Sequence, residues 1–272
     1  MIINADKTNL NKLLGVPNRQ LTIPPFQRPY AWESEQIDEL WHDIIDTLDR
    51  GHFMGSIVLC SPDEQRPEII DGQQRMTTII ILLSLIRDKY QELKPDLIGR
   101  IQQFLENSYA DPDLKFKFRP GNANKHVFTE FVLRSPEDSA RRDWDTITDL
   151  DNHEINQNKN LIENTKRLSN YLNEYLEHCD APLRRLESLE KTIMTGLEFV
   201  VIDVPDIANA FIIFDLTFSF SFFILFSSLI FLYFDFTMEN MDSIGMKSGD
   251  AAAFRMQGID SSSILSWTIL DR

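Results

Sequence analysis

Basic side chains are scarce in this chain. Its 272 residues include 27 Lys and Arg against 42 Asp and Glu, a formal charge of −15. Coating nucleic acid through bulk charge requires a basic face, so this balance excludes a protein that works that way, though not one with a single local basic pocket. Cysteine is scarcer still. Cys60 and Cys179 alone can build neither a disulfide framework nor a cysteine-based zinc site, and a reducing compartment is the expectation. The first residues, Met1-Ile2-Ile3-Asn4-Ala5-Asp6, lack the basic and apolar regions of a secretory signal. The expected location is therefore cytoplasmic. The five histidines (His42, His52, His126, His153, His178) form no His-x-x-x-His pair, so each reads as an ordinary surface or core residue. What is present is normal for a globular protein: 43% apolar and 25% charged, long enough for one large domain or two smaller ones.

Periodicity organises the chain from there. Ile37, Leu40, Trp41, Ile44, Ile45 and Leu48 recur at helical spacing behind Ser34, which can cap them, and Gly51 stops the run. Residues 53–60 and 68–71 read as short strands joined by a polar turn. From Gln73 the spacing is helical again, through Met76, Ile79, Ile80, Leu83, Ile86 and Tyr90, up to Lys94-Pro95. Helical stripes follow at 97–105, 124–133, 161–175 and 183–193, with residues 114–118 and 197–204 as further strands, 135–153 as a polar loop, and Pro205 opening another helix. Helix, short strands and helix within 60 residues predict an α+β fold.

The sharpest local signal is Asp71-Gly72-Gln73-Gln74-Arg75. A buried strand ends in Asp71, Gly72 supplies a tight turn, and a helix starts at once. The free N–H groups of that helix, with its positive dipole end, suit a phosphate or another anion. Arg75 can clamp phosphate oxygens bidentately, Asp71 can hold Mg²⁺ or orient a water, and Gln73 and Gln74 offer amide contacts. The competing reading is a capped turn in which Asp71 simply pairs with Arg75. A second block, Pro24-Pro25-Phe26-Gln27-Arg28-Pro29-Tyr30-Ala31-Trp32, uses prolines to fix the backbone that presents Gln27 and Arg28. Tyr30 and Trp32 either close the core, the more ordinary use, or stack on a base.

In order and spacing, Phe26-Gln27-Arg28-Pro29-Tyr30, then Phe53-Met54-Gly55-Ser56-Ile57-Val58-Leu59, then Ile70-Asp71-Gly72-Gln73-Gln74-Arg75 resemble the N-terminal domain of GmrSD-type restriction endonucleases. The resemblance covers about residues 8–215. It implies a ParB/sulfiredoxin-like small sheet with flanking helices over 8–95, followed by a mainly helical subdomain over 96–215. It further implies a sensor that binds and hydrolyses a nucleoside triphosphate (NTP) with Mg²⁺, in defence against modified foreign DNA. The implied catalytic residues are Asp71, Gln74 and Arg75. Gln27, Arg28, Gly72, Gln73 and Arg75 are the implied nucleotide contacts, and Asp71 the metal ligand. Its partners would be the nucleotide, and DNA or a separate nuclease subunit. The alternative is a non-catalytic DNA- or protein-interaction module with a degenerate nucleotide site.

The resemblance breaks after residue 215. The family continues with a block like Ile-Phe-Glu-Thr-Leu-Asn and then Arg-Gly, whereas this chain has Ile213-Phe214-Asp215-Leu216-Thr217 and then a run of Phe, Leu, Ile and Ser. Residues 216–234 carry no charge, and a 19-residue helix spans roughly 28 Å, just short of a bilayer core. Either this is a membrane anchor, against which its acidic flanks and lack of nearby Lys or Arg speak, or it is a low-complexity segment outside the family domain. The expectation is the second, with residues 216–272 a truncated or misread end and no nuclease domain in the chain. A 19-residue helix without a polar face exposes enough apolar surface to drive association. Residues 1–215 expressed alone should therefore remain monomeric in light scattering at concentrations where the full chain aggregates.

Overall fold

A computed structural model describes residues 4–206, apart from 49, 109, 110 and 178. Among the described residues a mixed six-stranded sheet runs in the order β1-β6-β3-β4-β2-β5. The strands are β1 (Asn4–Asn9), β2 (Leu21–Thr22), β3 (His52–Cys60), β4 (Glu68–Asp71), β5 (Phe118–Arg119) and β6 (Leu197–Val204). β6 pairs antiparallel with β1 and parallel with β3, β3 pairs antiparallel with β4, and β2 lies parallel to both β4 and β5. The fold is α+β, as the alternation of periods predicts.

The helices are α1 (Leu10–Gly15), α2 (Ser34–Asp46), α3 (Gln73–Leu93), α4 (Ile98–Leu105), α5 (Lys125–Val127), α6 (Asn152–Gln157), α7 (Lys159–Glu177) and α8 (Pro182–Lys191). α5 runs on as a π-helical turn over Phe128–Leu133, and α8 as one over Thr192–Gly196. The centre of the domain is α3. Every residue from Met76 to Arg87 is buried, so this helix has no solvent face over three turns. A helix apolar all round must be enclosed on all sides. Here α2, α4, α7 and α8 share one hydrophobic core with it, continuous from Leu10 to Phe199.

Several expectations need correction. The cap of α2 falls one residue early: the Glu33 N–H donates to Gln36 Oε1 at 2.8 Å, and Ser34 is already helical. α2 also ends at Asp46, short of Leu48, the last residue of its apolar stripe. Of the strand expected at 114–118, only Phe118 is extended in the sheet, while Pro112–Leu114 is a 3₁₀ turn. Alternation misleads there because Lys117 is not a solvent-facing position. Its ammonium is buried and donates to the Leu14 carbonyl at 2.7 Å, closing the end of α1. The polar stretch 135–153 contains a 3₁₀ turn, Trp144–Asp149, which buries Ile147, and Leu150 just after it is buried too. β1 and α1 carry too little periodicity to be predicted, whereas β2 (Leu21–Thr22) opens the stretch of residues 21–30 that its prolines require to be extended or turning. Beyond Asp206 the helix expected from Pro205 lies outside the described residues, as does everything expected of residues 216–272, the 216–234 anchor included. Among the described residues no helix is long and apolar enough to cross a membrane.

One charged group sits inside this core. Arg87 is fully buried, and burial pushes its guanidinium down to about 10 although Asp88 pulls it up. Its Nη1 donates to Gln102 Oε1, Val132 O and Leu133 O at 3.0, 3.0 and 3.3 Å, and Nε to Asp88 Oδ1 at 2.9 Å. Removing one partner of a buried ionic network strands the rest. Arg87→Leu should lower unfolding free energy by about 3–5 kcal/mol in urea titrations, well beyond the effect of a surface substitution.

Candidate functional site

β4 ends at Asp71, and the chain turns into α3 through Gly72, whose φ of 90° and ψ of 4° lie in the left-handed region. A side chain here is strained by the backbone alone. A Cβ would also stand 3.3 Å from Ile57 Cγ1 and 3.4 Å from the Ser56 carbonyl, so the turn needs glycine twice over. No side chain caps α3, and its first backbone bond runs from Met76 N–H to Gly72 C=O at 2.9 Å. The N–H groups of Gln73, Gln74 and Arg75 therefore precede the helical ladder and remain available to a ligand.

This helix start forms the floor of a cleft of about 570 Å³ lined by Phe26, Gln27, Arg28, Trp32, Ile70, Asp71, Gly72, Gln73, Gln74 and Arg75. All seven residues singled out by the resemblance meet in it. Residues 24–32 form a strap across its side. Gln27 Nε2 donates to the Ile70 carbonyl at 2.9 Å, and Gln73 Nε2 donates to Gln27 Oε1 at 3.0 Å. The strap is thus laced to both the strand end and the helix start.

Two irregularities in the sheet ladder serve this arrangement. The β3–β4 register shifts so that Ile70 has no Cα partner on β3, and its carbonyl is the one that accepts from Gln27. The β3–β6 register shifts between Phe53 and Ser56, where Gly55 has a φ of 92°. There the Ser56 carbonyl accepts from Arg75 Nη1 at 3.2 Å. Bulges commonly re-aim groups beside functional sites in this way.

The charges are only partly matched. Burial lowers the Arg75 guanidinium below its ordinary value, and Asp71 opposes the shift. The two side chains nevertheless form no ion pair, so the turn is not closed by an Asp71–Arg75 bridge. Arg28 is exposed and makes no hydrogen bond or ion pair with any described residue. Gln74 is committed elsewhere: it is buried, its Oε1 accepts from Ala31 N–H at 2.8 Å, and its Nε2 donates to Pro29 C=O at 3.1 Å. Trp32 is half-buried, packing on the core while lining the cleft, and Phe26 is 54% exposed. Tyr30 belongs to the core.

A family described as GmrSD restriction endonuclease, N-terminal domain, matches residues 10–217. The chain belongs to that family. No curated protein matches it. The GmrSD N-terminal match contains the strap, β3, the Gly72 turn and the whole of α3, so every residue lining the cleft falls within it. The fixed role of Gln74, with both ends of its amide bonded to the strap, leaves no signal in the sequence.

The glycine requirement has a direct readout. Gly72→Ala should destabilise the domain by about 1–3 kcal/mol, because a non-glycine residue is forced to positive φ against Ile57 and Ser56. Gly99→Ala, where the added methyl meets nothing within 4 Å, should not destabilise in the same thermal melts.

Proposed function

We propose that this GmrSD N-terminal domain binds a nucleoside triphosphate with Mg²⁺ in the cleft and hydrolyses it. In this reading it is the sensor module of a system that restricts foreign DNA. The observation that carries the reading is the convergence on one cleft of an uncapped 21-residue helix, the half-buried Arg75 and Arg28, which has no partner among the described residues. Triphosphate oxygens supply the acceptors that the helix N–H groups and Arg28 lack, and Arg75 keeps donors beyond the one given to the Ser56 carbonyl.

The roles follow from the geometry. The N–H groups of Gln73, Gln74 and Arg75 bind phosphate oxygens along the helix axis, where the dipole adds to their effect. Arg75, on α3 and steadied by the Ser56 carbonyl of β3, supplies one guanidinium, and Arg28, on the strap, supplies the other. Gln73 and Gln27 fix the relation between strap and helix. Gln74 is a strut, since both ends of its amide are engaged by the backbone. Phe26 and Trp32 flank the cleft with flat apolar surface suited to a base or sugar.

A metal ion fits these residues in one way. Among the described residues Asp71 is the single carboxylate lining the cleft, and none of them form a cluster of three His, Cys, Asp or Glu able to hold a metal. That donor set suits Mg²⁺, which is commonly held by one or two carboxylates together with substrate phosphates and water. When bound it would neutralise charge on the phosphate oxygens. Asp71 would otherwise be placed to orient the attacking water. The family description, a restriction endonuclease, supports a setting in DNA defence, with DNA contact or cleavage supplied by another domain or a partner subunit.

Titration calorimetry with Mg²⁺ and each of ATP, GTP, CTP and UTP, paired with a phosphate-release assay, tests the proposal. Arg75→Ala should weaken binding by about 1.5–3 kcal/mol, roughly 10- to 150-fold in Kd. Asp71→Asn should abolish phosphate release while retaining most of the affinity. Unchanged affinity in Arg75→Ala would refute the site, and binding without release by the unaltered protein would make the domain a nucleotide-binding module only.

A further inference from the structure

The strap that carries Gln27 and Arg28 has almost no regular backbone hydrogen bonding of its own. Its polar groups are met instead by side-chain amides from three directions. Gln74 of α3 takes Pro29 C=O and Ala31 N–H. From the turn before α5, Asn124 Oδ1 accepts from Tyr30 N–H at 3.0 Å, and Asn124 Nδ2 donates to Asn158 Oδ1 at 2.8 Å. From α7, Asn160 Nδ2 donates to Ala31 C=O at 3.3 Å, and Asn164 Nδ2 donates to Trp32 C=O at 2.7 Å and to the Tyr30 hydroxyl at 3.3 Å.

Asn164 also begins a relay that ends in the first turn of α3. The Thr78 hydroxyl donates to the Gln74 carbonyl at 3.0 Å. With that proton committed, the 2.8 Å contact between Tyr30 Oη and Thr78 Oγ1 is donated by the tyrosine. The order is therefore Asn164 N–H to Tyr30, Tyr30 O–H to Thr78, and Thr78 O–H to Gln74. Asn164, Tyr30, Thr78 and Gln74 are all buried, so water cannot readily substitute for a missing member, and such a network fails as a unit. Asparagine is moreover a poor helix former, yet Asn164 sits on the apolar face of α7 between Leu161 and Leu168. Packing alone would place an aliphatic residue there.

We infer that Asn164 is a positioning residue for the cleft: through Trp32 C=O and Tyr30 it holds the strap, and with it Gln27 and Arg28, in register with the N-terminus of α3. Asn164 touches no ligand itself, and its effect on nucleotide affinity rests on the nucleotide reading of the cleft. Its effect on the strap does not.

Asn164→Asp in the full chain separates the two. The new carboxyl has the shape of the amide but, when ionised, faces the Trp32 carbonyl without a proton to donate. At a site this buried its pKa is raised, so lowering the pH restores an O–H donor. Affinity for Mg²⁺ with each of the four NTPs, expressed relative to the unaltered protein at each pH, should fall at least tenfold at pH 8. It should recover to within about threefold at pH 5.5, at a temperature where both proteins are fully folded. Hydrogen exchange at the Tyr30 and Ala31 amides should quicken at pH 8 relative to the unaltered protein, while exchange in the middle of α3 and α7 stays unchanged.

Equal affinity in the two proteins at pH 8, or a loss that does not recover at low pH, overturns the positioning role. If the unaltered protein binds none of the four nucleotides, the nucleotide reading fails by itself. The exchange comparison then decides the role of Asn164, which is overturned if the Tyr30 and Ala31 amides remain as protected as before.

Discussion

Helix α3 is enclosed on every side through its middle turns, so its first turn is a fixed point to which the rest of the cleft must be fitted. A rod packed at interior density has no cheap displacement, because any shift opens voids along its whole length. The β4 strand end, the Gly72 turn and the strap are each registered to that point by separate contacts. Gly72 brings the backbone within van der Waals distance of β3, Gln74 grips the strap at Pro29 and Ala31, and Gln73 grips it at Gln27. Without the buried body of α3, the same contacts would tie mobile pieces to one another.

The buried charge in this helix belongs to the same logic. Arg87 lies about three and a half turns beyond Gln74 on the same rod, and its guanidinium ties α3 to Gln102 on α4 and to the carbonyls of Val132 and Leu133. An aliphatic residue would fill the volume without specifying which carbonyls of the π-helical turn meet the helix. A satisfied polar network does specify it, at the cost of desolvating a cation. Near the far end of the helix, Tyr90 donates to Glu190 of α8. The helix is therefore fixed by directional bonds as well as by apolar contact.

Much of this was legible in the residues. The periodic runs of α2, α3, α7 and α8 are strong because one face or all faces are apolar, and the short strands stand out between them. The Gly72 turn was legible because a strand cannot enter a helix so abruptly without a residue tolerant of positive φ. Three things were not legible, each because the deciding interaction is distant in sequence. β1 is polar apart from Ala5 and exists by backbone pairing to β6, nearly 200 positions away. Lys117 looked like the outward position of a strand until its ammonium met the end of α1. Gln74 looked like a ligand group, and only the path of the strap reveals that both ends of its amide are already bonded. Asn164 left a faint trace as a polar residue inside an apolar stripe.

The uncapped start of α3 has a thermodynamic side. A capping side chain typically contributes about 1 kcal/mol to a helix, and this helix, the most buried in the domain, forgoes one. An anion seated on those N–H groups would complete the helix as well as fill a cleft. Occupancy and folding would then be linked, with unfolding free energy rising by RT ln(1 + [L]/Kd) as ligand is added. A scarcity of ligand would consequently be felt as lowered stability at the hub of the core, and a cell could register it as faster turnover of the protein itself.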